Sequence, residues 1–285
     1  MRKLLVGIIL TVMVSTPFGN VTAEEKEEVE YGWKKTAVAG LNFTQNSFDN
    51  WAQGGEDSWS WQLDVNAALS KTEKKYEWSN SLKTSFGKTR VGDESARKAA
   101  DELRFESVYT RLLGIFVDPY ASVSARTQYA AGYDYSTETD IQTSDSFDPT
   151  YFTESVGLGV KPAGFIKTRV GAAMKQTVSS VKYGYADDPD TENEIEDFKN
   201  EFGAELVTDL SLKLDKNILF TSKVEIFSDF NTFKSIDVNW DNMFKAKVSE
   251  YIDVSLNIRI FYDEDISPKR QISQTLAVGL TYTLF

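Results

Sequence analysis

The feature that most constrains this chain is an alternation of apolar and polar residues with a period of two, held over long segments. Residues 58–70 read SWSWQLDVNAALS, where Trp59, Trp61, Leu63 and Val65 share one parity and polar residues take the other. Successive side chains of a β-strand point to opposite faces, so the pattern predicts a strand with one apolar and one polar face. Its length is about twice that of an average strand in a globular protein.

The same alternation recurs along the chain in about twelve segments. They are 33–44, 58–70, 76–86, 102–112, 121–131, 151–161, 165–177, 202–213, 220–226, 236–246, 252–260 and 272–285. Short connections alternate with mostly long, polar ones, at 45–57, 87–101, 134–150, 178–198, 230–235 and 263–270. Such spacing predicts an all-β fold, a transmembrane up-and-down antiparallel β-barrel of about 12 strands, with long outer loops and short periplasmic turns.

A soluble periplasmic β-protein is the alternative fold, because the strands of a sandwich also alternate. The length of the segments and the asymmetry of the connections favour the barrel. Aromatic residues near the predicted strand ends favour it too, since they suit the interfacial girdles of a membrane barrel. These aromatic residues are Tyr76, Trp78, Tyr133, Tyr262 and Tyr282.

The N-terminal segment predicts secretion. Residues 1–23 combine a basic start, a short apolar run and the small-residue pattern Val21-Thr22-Ala23. The apolar run is too short to span a bilayer as a helix, so the pattern is that of a signal peptide cleaved after Ala23. We therefore expect a signal peptide over 1–23, an acidic periplasmic tail over 24–32 and a barrel over 33–285. The barrel would lie in the outer membrane, with the N- and C-termini on the periplasmic side.

Composition excludes several kinds of chemistry. The chain has no Cys and no His, so histidine-dependent nucleophiles, histidine metal sites and disulfides are ruled out. Without Arg2 and Lys3, 29 basic residues face 43 acidic ones, and the net charge of −14 argues against a nucleic-acid partner. Paired carboxylates such as Asp237 and Asp241 are not distinguished from other wall charges. We predict no enzyme, no cofactor and no metal site.

The polar parity carries charges of both signs in equal number. If this parity faces inward, thirteen basic and thirteen acidic residues face the lumen. Long side chains can fill much of a barrel of about twelve strands, which favours a structural network of paired charges over a selective site. The candidates for this lumen-facing network are Asp64, Lys83, Arg104, Arg126, Arg169, Glu205, Asp209, Lys223, Glu225, Asp237, Asp241, Lys245 and Arg259.

Two hypotheses about function come from different classes. The first is a narrow passive channel or transport-related barrel for small solutes. The second is a plugged structural or interaction barrel whose long outer loops bind a protein partner. Both predict outer-membrane lipid and, during insertion, the barrel-assembly machinery as partners.

One loop is rich in oxygen ligands. The segment DDPDTENEIED, residues 187–197, could attract hard cations. It lacks the glycine and the spacing of a calcium loop, so a solvated loop is the favoured interpretation.

Several short motifs together resemble a Bacteroidota outer-membrane barrel family known only as a domain of unknown function. They are a Trp-x-x-Gly-Gly element (Trp51, Gly54, Gly55), the segment TQYAAGY with Gln128, Gly132 and Tyr133, and Pro149, Gly157 and Lys161-Pro162. The resemblance implies the fold and location and brings no activity.

The segment QTLAVGLTYTLF is similar to the C-terminal signal of outer-membrane barrels. Gly279, Tyr282 and Leu284 match its spacing, and Phe285 sits one step out of the usual phase. In a closed barrel this strand would pair with the first strand, which leaves no edge.

Overall fold

A β-sheet of twelve strands closes on itself in the computed structural model, which describes residues 30–50, 52–136, 139–188, 191, 194–231, 236–263 and 267–284. The strands are β1 (Gly32–Asn46), β2 (Ser58–Glu73), β3 (Tyr76–Val91), β4 (Arg97–Arg111), β5 (Asp118–Thr127), β6 (Gly132–Asp134), β7 (Ile141–Ser144), β8 (Thr150–Ala163), β9 (Ile166–Val178), β10 (Phe198–Asp215), β11 (Ile218–Asp229), β12 (Ile236–Lys247), β13 (Ile252–Asp263) and β14 (Ser267–Thr283). Each barrel strand pairs antiparallel with the next, β5 with β8, and β14 with β1, while β6 and β7 form a separate ribbon. The predicted up-and-down barrel is confirmed. In the described part of the chain, no helix is long and apolar enough to cross a membrane.

The two ends of the barrel differ in their connections. The turn end carries 74–75, 112–117, 164–165, 216–217 and 248–251. The loop end carries 47–57, 92–96, 128–149, 179–197, 230–235 and 264–266. The predicted signal peptide and most of the predicted acidic tail, residues 1–29, lie outside the described residues.

The predicted long loop at 87–101 is wrong. Strand β3 continues to Val91 and β4 begins at Arg97, so only 92–96 connect them. Residues 88–90 and 97–98 are polar on both faces, which removes the period-two signal. Their backbones nevertheless continue the ladder, since Thr89 pairs with both Ser60 and Arg97. The loop predicted at 263–270 is shortened in the same way, because β14 begins at Ser267.

The apolar parity forms the outer face of the barrel wall. Val156 and Leu276, for example, are 61% and 70% exposed. An isolated soluble barrel would leave such a face in water, whereas a closed barrel in a bilayer satisfies its backbone groups between strands and presents apolar side chains to lipid.

Two polar triads interrupt this outer face and satisfy their own hydrogen bonds. The indole of Trp78 donates to Ser107 (3.0 Å), whose hydroxyl donates to Asn80 (2.9 Å). The same arrangement recurs elsewhere, where Trp240 donates to Ser222 and Ser222 to Asn242, both at 2.9 Å. In each triad the Trp and Asn are two residues apart on one strand, and the Ser is the register partner of the Asn. The wall therefore contains polar groups without unpaired donors at these points.

The seam that closes the barrel is short. Strands β1 and β14 pair over five positions, from Val38↔Thr283 to Asn42↔Gly279, whereas β1 pairs with β2 from Gly32 to Asn46. Between Asn42 and the loop end, the structure has no register pair between these two strands. The β14 segment 271–276 is exposed on both faces there.

Most of the buried apolar side chains lie on one side of the lumen. Tyr120 and Val207 are 5% and 0% exposed, and Ala173 and Phe227 are also buried. Tyr120 occupies space beside Gly171, where an added Cβ would lie 2.7 Å from the tyrosine oxygen, and its hydroxyl lies 2.6 Å from Ser155. These residues belong to β5, β8, β9, β10 and β11, and the lumen is filled on their side.

Candidate functional site

In the described part of the chain, ion pairs cross the lumen in three large clusters and in a smaller group around Glu77. The first cluster joins β3, β4, β12 and β13: Lys83 lies 2.8 Å from Asp241, and Arg259 contacts both carboxylate oxygens of Glu102 (2.7 and 2.9 Å) and Asp241 (3.1 Å). The neighbouring strands β3 and β4 are not adjacent to β12 and β13 in the sheet, so the cluster spans the lumen.

The second cluster joins β4 to β9, β10 and β11. Arg104 pairs with Glu225, and Glu106 accepts hydrogen bonds from both Arg169 and Lys223. Lys223 also lies 3.4 Å from Glu225 and 4.0 Å from Asp209. Glu106 and Lys223 are each held by charges of opposite sign from more than one strand, which compensates for their partial burial.

The third cluster surrounds Lys175. Its ammonium lies 2.6 Å from Asp237, 3.3 Å from Asp263 and 3.5 Å from Glu201. Nearer the turn end, Glu77 pairs with Lys161 and with Lys167 (3.0 Å), and Lys245 lies 2.6 Å from Asp253. Ten of the thirteen candidate charges therefore contact a charge of opposite sign.

The other three candidates are Asp64, Glu205 and Arg126, and no ion-pair partner lies within 4.0 Å of any of them in the described ranges. Asp64 accepts from the amides of Gln62 (2.8 Å) and Asn42 (3.3 Å). One carboxylate oxygen of Glu205 is buried without a hydrogen-bond donor. These three candidates therefore lie outside the ion pairs that link the other ten. Pairing across a lumen depends on which side chains stand at the same height on opposite strands, and local sequence does not specify that height.

Cavities follow one another through the lumen, and residues of β1, β2, β13 or β14 line each of them together with residues of other strands. A loop-end cavity of about 410 Å³ is bordered by Glu102, Arg259 and Ser273. These three residues also border a central cavity of about 320 Å³, which is otherwise lined largely by small or neutral side chains such as Asn257, Thr275 and Ala277. The two cavities are therefore adjacent.

Two turn-end cavities continue from the central one. One of about 490 Å³ shares Val38, Asn66 and Lys83 with it and reaches Gly164 and Phe165 in a turn. Another of about 280 Å³ shares Val38, Lys245 and Asp253 with it and reaches Lys216 and Asn217. Cavities with shared lining residues thus continue from the loop end to the turn end of the barrel.

The connection 128–149 is tied down by Gln128, one of the motif residues. Its side-chain amide donates to the carbonyls of Asp148 (2.7 Å) and Asp145 (3.2 Å) and accepts from Lys98 (3.0 Å). The Asp148 carboxylate in turn accepts from Ser179 (2.7 Å), which belongs to the next loop. Gly132 packs against Ser144 and Lys98 with no room for a Cβ. Gln128 and Gly132 belong to the motifs found in the sequence, which did not indicate what they do. In the structure, both residues stabilise the fold of this loop.

The remaining motif residues have varied positions. Trp51 and Phe285 lie outside the described residues. Gly54 and Gly55 have φ angles of 81° and 151°, and Gly55 lies against the ring of Phe48. Gly279 pairs with Asn42, Tyr282 with Ala39, and the N–H of Leu284 donates to Ala37 (2.8 Å).

The acidic segment 187–197 is only partly described. Within it, Glu196 accepts hydrogen bonds from the Thr191 hydroxyl (2.5 Å) and the Asp188 N–H (2.9 Å), and these bonds lower the pKa of its carboxyl group. Across the residues whose positions are known, no three acidic side chains are grouped to hold a metal ion.

A family model described as a protein of unknown function (DUF3078) matches residues 43–133, from the end of β1 to β6. No curated protein sequence matches the chain. Similar solved structures include the translocator domain of the autotransporter NalP from Neisseria meningitidis, with 10% identity, 90% of each chain covered and a TM-score of 0.41. An outer membrane channel from Pseudomonas putida F1 shares 10% identity over 93% of this chain and 99% of its own, with a TM-score of 0.38. The NanC porin shares 8% identity over 88% and 98%, with a TM-score of 0.40.

The description of this family model names no activity.

Proposed function

We propose that this chain forms a narrow passive channel for small solutes in an outer membrane. The observation that carries the proposal is the series of adjoining cavities from the loop end to the turn end. Ion pairs that line these cavities, such as those of Lys83, Glu102 and Arg259, and the side chains buried around Tyr120 brace the wall and narrow the passage. Polar side chains of both signs and neutral amides around the cavities are suited to hold water.

The apolar outer wall supports the membrane location. A membrane barrel needs an outward apolar band, and the outer parity provides one. With the turn end on the periplasmic side, β1 would begin and β14 would end there. The proposal has three further parts. The signal peptide is cleaved after Ala23, the barrel-assembly machinery inserts the chain, and outer-membrane lipid surrounds the wall. Mass spectrometry of membrane-extracted protein tests the cleavage site, and Glu24 is the first residue expected.

Single-channel conductance in planar bilayers tests the channel. We expect small, stable unit steps for the purified protein. Ala277→Trp places a large side chain in the central cavity and should reduce the unit conductance. Val278→Trp, on the adjacent outward-facing position, should leave it unchanged. A folded, inserted barrel without unit steps would contradict the proposal.

The second candidate is an interaction barrel whose loop end binds a protein. The observation that favours it is the structured connection 128–149, held by Gln128 and Asp148. Binding residues are disproportionately found on loops that a rigid scaffold positions. Gln128→Ala, combined with a pull-down from intact cells, separates this function from the channel, because it should abolish partner capture while conductance persists.

A further inference from the structure

Arg126 is an uncompensated cation in the lumen. The other candidate cations, Lys83, Arg104, Arg169, Lys223, Lys245 and Arg259, each have a carboxylate within 4.0 Å. Among the residues placed by the structure, no carboxylate comes that close to Arg126. Four carboxylates line a small cavity together with Arg126, namely Glu205, Glu225, Asp237 and Asp263. Glu225 is already paired with Arg104 and Lys223, and Asp237 and Asp263 with Lys175, while Glu205 stays beyond ion-pair distance of Arg126.

Two aromatic rings flank the guanidinium group of Arg126. Its central carbon lies 4.8 Å from the ring centroid of Tyr151 and 5.0 Å from that of Phe261. Tyr151 is the register partner of Arg126 on β8, whereas Phe261 reaches it from β13. Contact with ring faces stabilises the cation but leaves its in-plane N–H donors available for a planar acceptor.

The loop-end cavity lies directly against this group. Its volume of about 410 Å³ falls in the range of small-molecule sites, and Arg126, Tyr151, Tyr185 and Phe261 line it.

The two carboxylates that also line the cavity are neutralised. Glu102 is held by Arg259 at 2.7 and 2.9 Å. Asp101 accepts from Lys98 (3.1 Å) and from the N–H groups of Tyr129 (2.7 Å) and Ala130 (2.9 Å). The uncompensated charge on the cavity wall is therefore positive.

We infer that this cavity binds a small organic carboxylate with a flat apolar body, before the solute enters the central cavity. The carboxylate would take a bidentate hydrogen bond from Arg126, and the body would lie against Tyr151 and Phe261. This inference rests on the proposed channel function and adds the class of solute to it.

Titration calorimetry of the folded barrel in detergent, with sodium benzoate as the probe, tests the site without requiring conductance. We expect saturable binding that Arg126→Gln weakens by about tenfold or more, because a charge-assisted bond is lost. Phe261→Leu should weaken the binding of benzoate and leave the binding of acetate unchanged. Benzamide, which has no charge, should bind poorly. The control Arg90→Gln removes a cation that is paired with Asp93 near the loop end, and it should leave the affinity for benzoate unchanged.

The outcomes separate the inference from the channel proposal. Absence of benzoate binding to the wild-type barrel, or equal binding to wild type and Arg126→Gln, overturns the site. Binding that Arg126→Gln removes, in a barrel that does not conduct, supports the site and refutes the channel. Heat-modifiable migration on gels verifies that each variant is folded, and Arg126→Lys, which retains the charge, should bind with an intermediate affinity.

Discussion

At the scale of single residues, the side of the wall on which a side chain lies decides what it contributes. Leu256 faces outward, whereas its neighbour Ser255 lines the central cavity. A side chain introduced at these two positions therefore meets lipid at position 256 and a wet lumen at position 255. A charge is expensive only in the first.

Leu256→Arg should lower the free energy of unfolding by about 2–4 kcal/mol, because it places a guanidinium near mid-wall in hydrocarbon. Ser255→Arg is the matched control and should cost much less, since its side chain enters the cavity. Urea titration of the barrel in lipid vesicles measures both. Equal costs at the two positions would show that the assignment of faces is wrong.

Glycine is required where Tyr120 packs against β9. A Cβ at Gly171 would collide with the carbonyl of Val156 and with the Tyr120 oxygen. Gly171→Ala should therefore destabilise the barrel by about 1–3 kcal/mol, as expected for overpacking. At Gly40 a Cβ would meet only atoms at 3.8 and 3.9 Å, so Gly40→Ala should be close to neutral. Thermal unfolding followed by circular dichroism compares the two variants, and similar midpoints would contradict this reading of Tyr120.

At the scale of elements, the seam between β1 and β14 has fewer register pairs than any other strand pair of the barrel. Its register pairs stop at Asn42↔Gly279, and a continued ladder would place Thr44 opposite Ala277. The chain has no cysteine, so pairs of introduced thiols report on this seam without interference.

A cysteine pair replacing Gly40 and Thr281 should form a disulfide on mild oxidation, because the two positions are register partners. A pair replacing Thr44 and Ala277 should remain reduced, since no ladder holds these positions together. The shift in gel mobility before and after reduction measures both pairs in native membranes. Rapid cross-linking of the second pair would mean that the seam continues toward the loop end.

At the scale of the whole molecule, closure depends on few backbone bonds. Tyr282 and Thr283 provide two of the five register pairs of the seam, and the N–H of Leu284 adds a bond to Ala37. An open wall would expose N–H and C=O groups to hydrocarbon at several kcal/mol each.

Removal of residues 282–285 should therefore prevent insertion. Tyr282→Ala retains the backbone ladder and should insert at levels closer to the wild type. Immunoblots of the outer-membrane fraction compare the two. Normal membrane levels of the truncated chain would refute the view that these pairs close the barrel.

Period-two alternation determined much of this protein without any tertiary information. It predicted the number of barrel strands, the faces of residues such as Leu63 and Asp64, and the difference between the two ends. These features are local, because the side-chain period of a strand is a property of the backbone. The alternation was lost at residues 88–90, where the strand continues with polar residues on both faces.

The tertiary structure alone decided which groups meet. Lys83 and Asp241 are brought within 2.8 Å by closure of the sheet, although 158 positions separate them in the chain. Closure also left Arg126 between two rings and the seam with five pairs. The physical reason is that heights and distances across a lumen depend on the register and stagger of all twelve strands together, and no single segment encodes them.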